Sequence, residues 1–374
     1  MKKYINFPQK PDKILFVCSI LASLLGIFII NSASYSLDSH IRHVLVQSVA
    51  FLLGGCAMVL LTAFDYGYFK KLSWLVFGVG IGLLILGLAI GKLTHGTQGW
   101  IALGPITLQP AEIAKLCFII TFSVHIEKVH STINNPKTLL LLFLHFLIYV
   151  IPVLLQPDFG TAMVFTMIFA FELFFAGIYK KYIFGVAGAV AVASPIIWFL
   201  LKDYQRARII TLFFPESDPT GSGYQVLQSK LAIGSGMLWG RGYLNGPQTQ
   251  YGYLPEKQTD FIYSVIGEEL GIIGALIAAV LLFIIIQRCF FSAKSCSHDT
   301  FGEHICIGVG AMLFSHVIEN IGMCLGLMPI TGIPLPFMSY GGSSLVTCFA
   351  AVGLVQSVRV RIPKKRPRQT ARPE

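Results

Sequence analysis

The 374-residue chain is 55% hydrophobic and only 12% charged, against about 25% charged residues in soluble domains. Its apolar residues are gathered in long blocks, which excludes a single water-soluble core and points to membrane spans. The net charge of +10 does not signal nucleic acid, because no stacking platform or DNA-binding motif accompanies it.

Ten apolar blocks follow in chain order, at residues 14–35, 44–64, 72–91, 109–125, 138–155, 159–178, 182–201, 260–286, 304–327 and 341–358. Most approach the ~20 residues that a spanning helix needs. The fold class expected is an all-α polytopic membrane protein of about ten transmembrane helices, forming one membrane domain over residues 1–374. The first block is longer than the ~7–15-residue apolar core of a signal peptide and no small-residue cleavage site follows it, so it reads as a span.

Orientation follows from Lys and Arg. With both termini in the cytoplasm, inside segments hold 19 of the 28 basic residues, and the four short outside loops hold only Arg42 and Lys92. That asymmetry obeys the positive-inside rule. The basic tail, residues 359–374, then lies against anionic membrane lipid on the cytoplasmic side. Eight cysteines show neither metal-ligand spacing nor a disulfide framework, and read as small apolar side chains.

Charges inside the blocks are costly, about 2.5–3.5 kcal/mol each at the bilayer centre, and are the first candidates for function. Glu112 and Lys115 are three apart, share a helix face and can pair. They either brace helices or border a polar cavity opening outward. Pro110 starts their helix. Glu172 and Glu319 read as structural.

Only one connection is long. Residues 202–259 form a large extracytoplasmic loop between the seventh and eighth spans, with eight glycines and four prolines that bend it repeatedly. Residues 223–239 mix polar and apolar side chains in a way that suits the headgroup level. Trp239, Tyr243, Tyr251 and Tyr253 suit the same interface. The loop also carries Arg206, Arg208, Lys230, Arg241 and Lys257, of which the arginines suit phosphate oxygens by their forked geometry.

At its end, Asp260 stands where this polar segment meets the eighth apolar block, able to touch water and lipid headgroups together. Glu268 lies eight residues further on, about 80° away around a helix, so it can border the same groove at another depth. Glu269 reads as a helix-bracing group. No Walker loop, dinucleotide fingerprint, HExxH or GxSxG motif occurs, and the nine histidines are scattered.

Five segments carry a resemblance: Leu108-Gln-Pro-Ala-Glu-Ile-Ala-Lys115, Gln156-Pro-Asp-Phe-Gly-Thr161, Gly223-Tyr-Gln-Val-Leu-Gln-Ser229, Leu254-Pro-Glu-Lys-Gln-Thr-Asp260 and Gly332-Ile-Pro-Leu-Pro-Phe-Met-Ser-Tyr-Gly-Gly-Ser-Ser344. In this order they resemble the SEDS family (shape, elongation, division and sporulation), and residues 328–337 and 256–260 resemble its RodA branch more than its FtsW branch. The resemblance implies a peptidoglycan glycosyltransferase that polymerises lipid II at the outer face of the bacterial cytoplasmic membrane, for cell elongation and shape. It implies a class B penicillin-binding protein as partner and activity supported by a divalent cation, Mg or Mn. Asp260 takes the family's essential aspartate position, and Glu112 and Lys115 its fourth-helix acidic and basic positions.

In that reaction a sugar hydroxyl attacks an anomeric carbon whose leaving group is polyprenyl pyrophosphate. Asp260 is the candidate general base. Arg206, Arg208, Lys230 and Lys257 are the candidates for stabilising the leaving group. Two departures stand out: Gly99-Trp100 where Arg-Trp is usual in the family, and His43 where glutamine is more usual. The competing readings are a lipid II flippase and a non-catalytic scaffold that activates the penicillin-binding protein.

Overall fold

The computed structural model describes residues 10–94, 97–103, 106–200, 206 and 210–362. Arg208 and the greater part of the basic tail lie outside the described residues. The protein is predominantly helical. Helices α1 (Lys13–Ala33), α2 (His40–Ala63), α3 (Gly67–Lys71) and α4 (Ser73–Ile90) precede a small antiparallel sheet, β1 (Lys92–Thr94), β2 (Thr97–Leu103) and β3 (Ile106–Leu108). There follow α5 (Pro110–Val129), α6 (Pro136–Leu155), α7 (Phe159–Phe175) and α8 (Lys180–Leu200). After these come α9 (Ser222–Ser235), α10 (Pro247–Gln250), α11 (Ile262–Ser295), α12 (Thr300–Cys324) and α13 (Gly342–Arg361).

Each of the ten apolar blocks falls on one of these helices. Seven of them (α1, α2, α4, α6, α11, α12 and α13) are long and apolar enough to cross a membrane by length and composition, and α7 is a shorter apolar helix. Helix starts follow the sequence: Asp12, Asn135, Asp158 and Asp299 each accept a hydrogen bond from a backbone N–H of the turn they precede. α12 and α13 are the most enclosed of the seven candidate spans. α2 packs on α13 with little between the backbones, since a Cβ at Gly353 would meet the Met58 backbone at 2.8 Å. The sheet was not legible in the sequence, which reads 92–108 as a plain outside loop.

The long connection is not a loose loop. α9 is started by Asp218, which accepts from Gly221 N (2.9 Å) and Ser222 Oγ (3.0 Å). Slight burial works against its charge, but these hydrogen bonds from Ser222 and Gly221 outweigh it and hold the Asp218 carboxyl below its usual range. Ser229 then bonds Ser264 Oγ (2.6 Å) and the Cys324 carbonyl (2.7 Å), tying α9 to α11 and α12.

α11 is broken at Gly271, whose φ of 69° and ψ of −170° no helix contains. The loop fills the break. Ile272 N donates to Met237 O (2.8 Å), while Arg241 N and Gly242 N donate to the Glu268 and Glu269 carbonyls (2.9 and 3.1 Å). Backbone groups that a helix break would strand are thereby satisfied. Beside this staple Met237, Leu238 and Trp239 are exposed, Trp239 at 81%.

Candidate functional site

One cavity of about 440 Å³ sits at the end of the bundle where the sheet and the long connection meet the helices. Its wall is made by Trp100 of β2, by Gln109, Asp158, Gly221 and Gly341 at or just before the starts of α5, α7, α9 and α13, and by the turns 256–260 and 330–334. Asp260 is on that wall, half-buried, two residues before α11. The recess beside this carboxylate is lined by both polar and apolar residues.

The turn that presents Asp260 is tightly held. The Glu256 carbonyl accepts from the N–H groups of Thr259, Asp260 and Phe261 (3.1, 3.1 and 3.2 Å), with Glu256 in the left-handed region at φ 48°. Asn320 of α12 donates through one amide nitrogen to both the Asp260 carbonyl and the Ile333 carbonyl, each at 2.8 Å. Ser339 Oγ donates to Thr259 O (2.6 Å), and Tyr340 N donates to Gln258 O (2.8 Å). On the far side Gly332, at φ 72°, brings its backbone against the carboxylate: a Cβ there would stand 3.7 Å from Asp260 Oδ2. Glycine serves that position because it tolerates the left-handed conformation.

A second carboxylate shares the cavity. Asp158, 6% exposed, accepts from Thr161 N (2.9 Å), Thr161 Oγ1 (2.8 Å) and Gln109 Nε2 (3.1 Å). The sequence reading quoted the segments of Gln109, Asp158 and Ser339 without assigning the residues a role, and nothing in the sequence marked Asn320.

Glu112 and Lys115 do not border the cavity. Both are buried, with Lys115 Nζ 3.0 Å from Glu112 Oε1 and 2.7 Å from His316 Nε2. They form a polar layer inside the bundle with Glu319, which accepts from Ser315 Oγ at 2.6 Å. The Lys115 charge acts on both Asp158 and Glu319. Its amine donates to His316, so that ring carries its own proton on Nδ1. Another buried glutamate, Glu172, pairs with His304 Nδ1.

Of the cations expected around Asp260, Arg208 lies outside the described residues, and Arg206, Lys230 and Lys257 do not line its cavity. The Arg206 guanidinium donates to the Trp198 and Phe199 carbonyls (3.0 and 2.8 Å) at the end of α8. Lys230 lies over Gly326, just past the carbonyl end of α12, where a Cβ on Gly326 would meet its Nζ at 2.6 Å. Cations are favoured at such ends by the helix dipole.

Lys257 is 3% exposed and donates to Ser36 Oγ (2.7 Å) and the Thr249 carbonyl. Burial pulls its amine below the usual lysine value, while the charges of Glu268 and Glu269 push the other way. Glu268 does not share a groove with Asp260. It accepts from Gln248 N (2.8 Å), Thr249 N (2.9 Å) and Thr249 Oγ1 (2.6 Å), pinning α10 to α11. Glu269 accepts from Ser32 Oγ (2.5 Å) and Gln250 Nε2 (3.2 Å), a bracing role as expected.

No Lys or Arg therefore lines the cavity among the described residues. Several helices begin on its wall instead. A helix start carries about half a positive charge on its unpaired N–H groups and favours anions; α13 has no side-chain cap and no acidic residue in its first turn, whereas α5 begins with Pro110, which has no N–H, and carries Glu112 in its first turn. Gly99 has a packing cause: a Cβ there would come within 2.6 Å of Gln156 Oε1, and the Gln156 amide is held by the Leu84 carbonyl (2.8 Å). Any larger side chain displaces that brace.

A polytopic helical bundle with several helices apolar enough to cross a membrane and a carboxylate-bearing cavity at one end defines the class: an integral membrane protein. The family model described as cell cycle protein, FtsW/RodA/SpoVE, matches residues 12–363, and the chain belongs to that family. It is 41% identical over 280 residues to the peptidoglycan glycosyltransferase MrdB of Escherichia coli, covering 74% of each chain. To the peptidoglycan glycosyltransferase RodA of Treponema pallidum it is 31% identical over 424 residues, 94% of this chain and 98% of the relative.

Among solved structures, one described as "Structural coordination of polymerization and crosslinking by a peptidoglycan synthase complex" superimposes with a TM-score of 0.80 at 30% identity, covering 93% of this chain and 97% of that one. The rod shape determining protein RodA of Thermus thermophilus gives 0.68 at 27% identity, covering 95% and 98%.

Proposed function

We propose that this protein is a peptidoglycan glycosyltransferase of the RodA type, polymerising lipid II at the outer face of the bacterial cytoplasmic membrane. Its ten helices span the bilayer with both termini in the cytoplasm, and residues 202–259 stand outside. The observation that carries the reading is Asp260 on the wall of a cavity from whose rim several helices begin. A carboxylate base and an anion-binding field are the two elements that glycosyl transfer from a pyrophosphate donor requires.

The 4-hydroxyl of the acceptor sugar is a weak nucleophile. Asp260 takes its proton as the new O4–C1 bond forms and the bond from C1 to the pyrophosphate oxygen breaks with inversion, a contribution of about 10²–10⁴ in rate for general-base catalysis. Charge developing on the leaving pyrophosphate is met by the uncapped start of α13. Tyr340, Gln109 and Ser222 on the cavity wall supply hydrogen-bonding groups for sugar hydroxyls.

No set of three or more His, Cys, Asp or Glu side chains able to hold a metal occurs among the described residues. Magnesium, however, is commonly held by one or two carboxylates together with substrate phosphates, and three acidic residues without a basic one line this cavity. The residues fit that shared mode, with Asp260 and Glu256 as the protein donors. When bound, a divalent cation such as Mg or Mn supplies charge neutralisation at the pyrophosphate. The partner of this reading is a class B penicillin-binding protein that cross-links the product, and the exposed rim at Met237–Trp239 is a surface available to it or to lipid.

The test is purified protein given labelled lipid II, with and without the penicillin-binding protein. Glycan polymer that disappears with Asp260→Asn supports the reading. Lipid II crossing a vesicle membrane with no polymer formed makes the protein a flippase, and neither activity leaves a scaffold.

A further inference from the structure

A second groove, of about 440 Å³, lies between α4, α5 and α6 at the end of the bundle opposite the Asp260 cavity. Gln109 lines the first cavity and Lys128 the second, which separates them by roughly 28 Å along α5. The wall of the second groove is apolar and open to lipid: Leu141, Leu144 and Ile148 of α6 are all exposed. At its mouth stand Lys128, exposed, and His125, half-buried. Lys128 has no ion pair among the described residues, because the neighbouring Glu127 is bound to Lys70 at 2.7 Å.

The hydrogen bonds behind His125 fix which of its nitrogens is free. Thr121 Oγ1 donates to the Cys117 carbonyl (2.9 Å), so toward His145 Nε2 (3.2 Å) it accepts. His145 therefore carries its proton on Nε2 and offers Nδ1 as a lone pair. His125 Nδ1, 3.1 Å away, must then be the donor. That leaves His125 Nε2 as an acceptor at the mouth of the groove, beside the Lys128 ammonium. A cation that takes a phosphate, an acceptor that takes a hydroxyl and an apolar wall that takes an acyl chain match one kind of molecule.

We propose that this groove binds one anionic phospholipid whose headgroup carries a hydroxyl, phosphatidylglycerol being the simplest case, from the leaflet away from the Asp260 cavity. Lys128 pairs with the phosphate, His125 Nε2 accepts from the headgroup hydroxyl, and the acyl chain follows Leu141, Leu144 and Ile148. The site is independent of the polymerisation chemistry.

Native mass spectrometry of the detergent-purified full chain tests it, with phosphatidylglycerol, phosphatidylmethanol (the same charge without a hydroxyl) and phosphatidylcholine added in turn. The wild type is expected to retain phosphatidylglycerol most and phosphatidylcholine least. Lys128→Ala lowers retention of both anionic lipids, about fivefold for one near-surface cation. His125→Phe lowers phosphatidylglycerol to the level of phosphatidylmethanol and leaves phosphatidylmethanol unchanged. Both variants keep lipid II polymerisation, which verifies their folding. Equal retention of phosphatidylglycerol and phosphatidylmethanol by the wild type overturns the hydroxyl contact, and that comparison needs no variant. Equal retention of all three lipids, or anionic-lipid retention untouched by Lys128→Ala, overturns the site.

Discussion

Asn320 is the residue on which the placement of Asp260 most depends. Its amide nitrogen donates to the Asp260 and Ile333 carbonyls at 2.8 Å each, so one side chain joins the two turns that face each other across the cavity. Asn320 is itself fully buried. Asn320→Ala removes both bonds and leaves two acceptors without them, at about 1–3 kcal/mol for each buried group left unsatisfied. Ser339 and the Glu256 turn still hold the chain, so the protein folds, but the turns are free to shift.

A displacement of about 1 Å in a catalytic group costs on the order of 10² in rate. Polymerisation of labelled lipid II should therefore fall by about 10² in the variant, with thermal unfolding in detergent lowered but still cooperative. Asn320→Asp, which keeps the shape and loses the donor, should fall as far. A cooperatively folding Asn320→Ala protein with wild-type polymerisation would show that Asp260 is positioned by other means, and the account of the site given above would be wrong.

Lys115→Met strands a buried Glu112 carboxylate, and breaking such a pair from one side costs about 3–5 kcal/mol; the double variant Glu112→Gln/Lys115→Met should regain part of that loss in a thermal-unfolding series, and no recovery would argue against a bracing pair. Glu268→Ala removes three hydrogen bonds to a buried carboxylate, each worth about 1.5–3 kcal/mol, so limited proteolysis should cut near Gln248 well before the rest of the chain, and unchanged resistance would refute the pinning role. Gly271→Ala forces a Cβ to within 2.4 Å of Gly240 N at a φ of 69°; a drop of at least about 2 kcal/mol is expected from the backbone conformation and contact together, and an unaltered unfolding temperature would mean that the loop staple yields. Gly99→Arg restores the residue usual in the family but displaces Gln156, so polymerisation should fall rather than rise, and a gain would show that the missing outward cation is felt.

The amino-acid order determined the apolar blocks, the helices they became and the candidate base. Hydropathy is a local property, and a block of about 20 apolar residues has few alternatives to a helix in lipid, where every backbone polar group must be satisfied internally. Asp260 was legible for the same reason: a lone carboxylate at the junction of a polar segment and an apolar block stands out in one dimension. Pro110 at the first position of α5 and Asp158 just before α7 likewise mark their helix starts directly.

What only the tertiary structure decided is the electrostatics of the cavity. Read in sequence, Arg206, Lys230 and Lys257 suggest themselves as partners of Asp260, yet Arg206 donates to carbonyls at the end of α8, Lys230 lies beside Gly326 just past the end of α12, and Lys257 is held in a buried contact with Ser36 and Thr249. The helix starts that border the cavity are far apart in the chain and gathered by packing, and no local pattern encodes that convergence. Asn320 and the break at Gly271 belong to the same class: a backbone carbonyl distant in the chain, such as that of Asp260, 60 residues from Asn320, has no signature in the residues around the group that binds it.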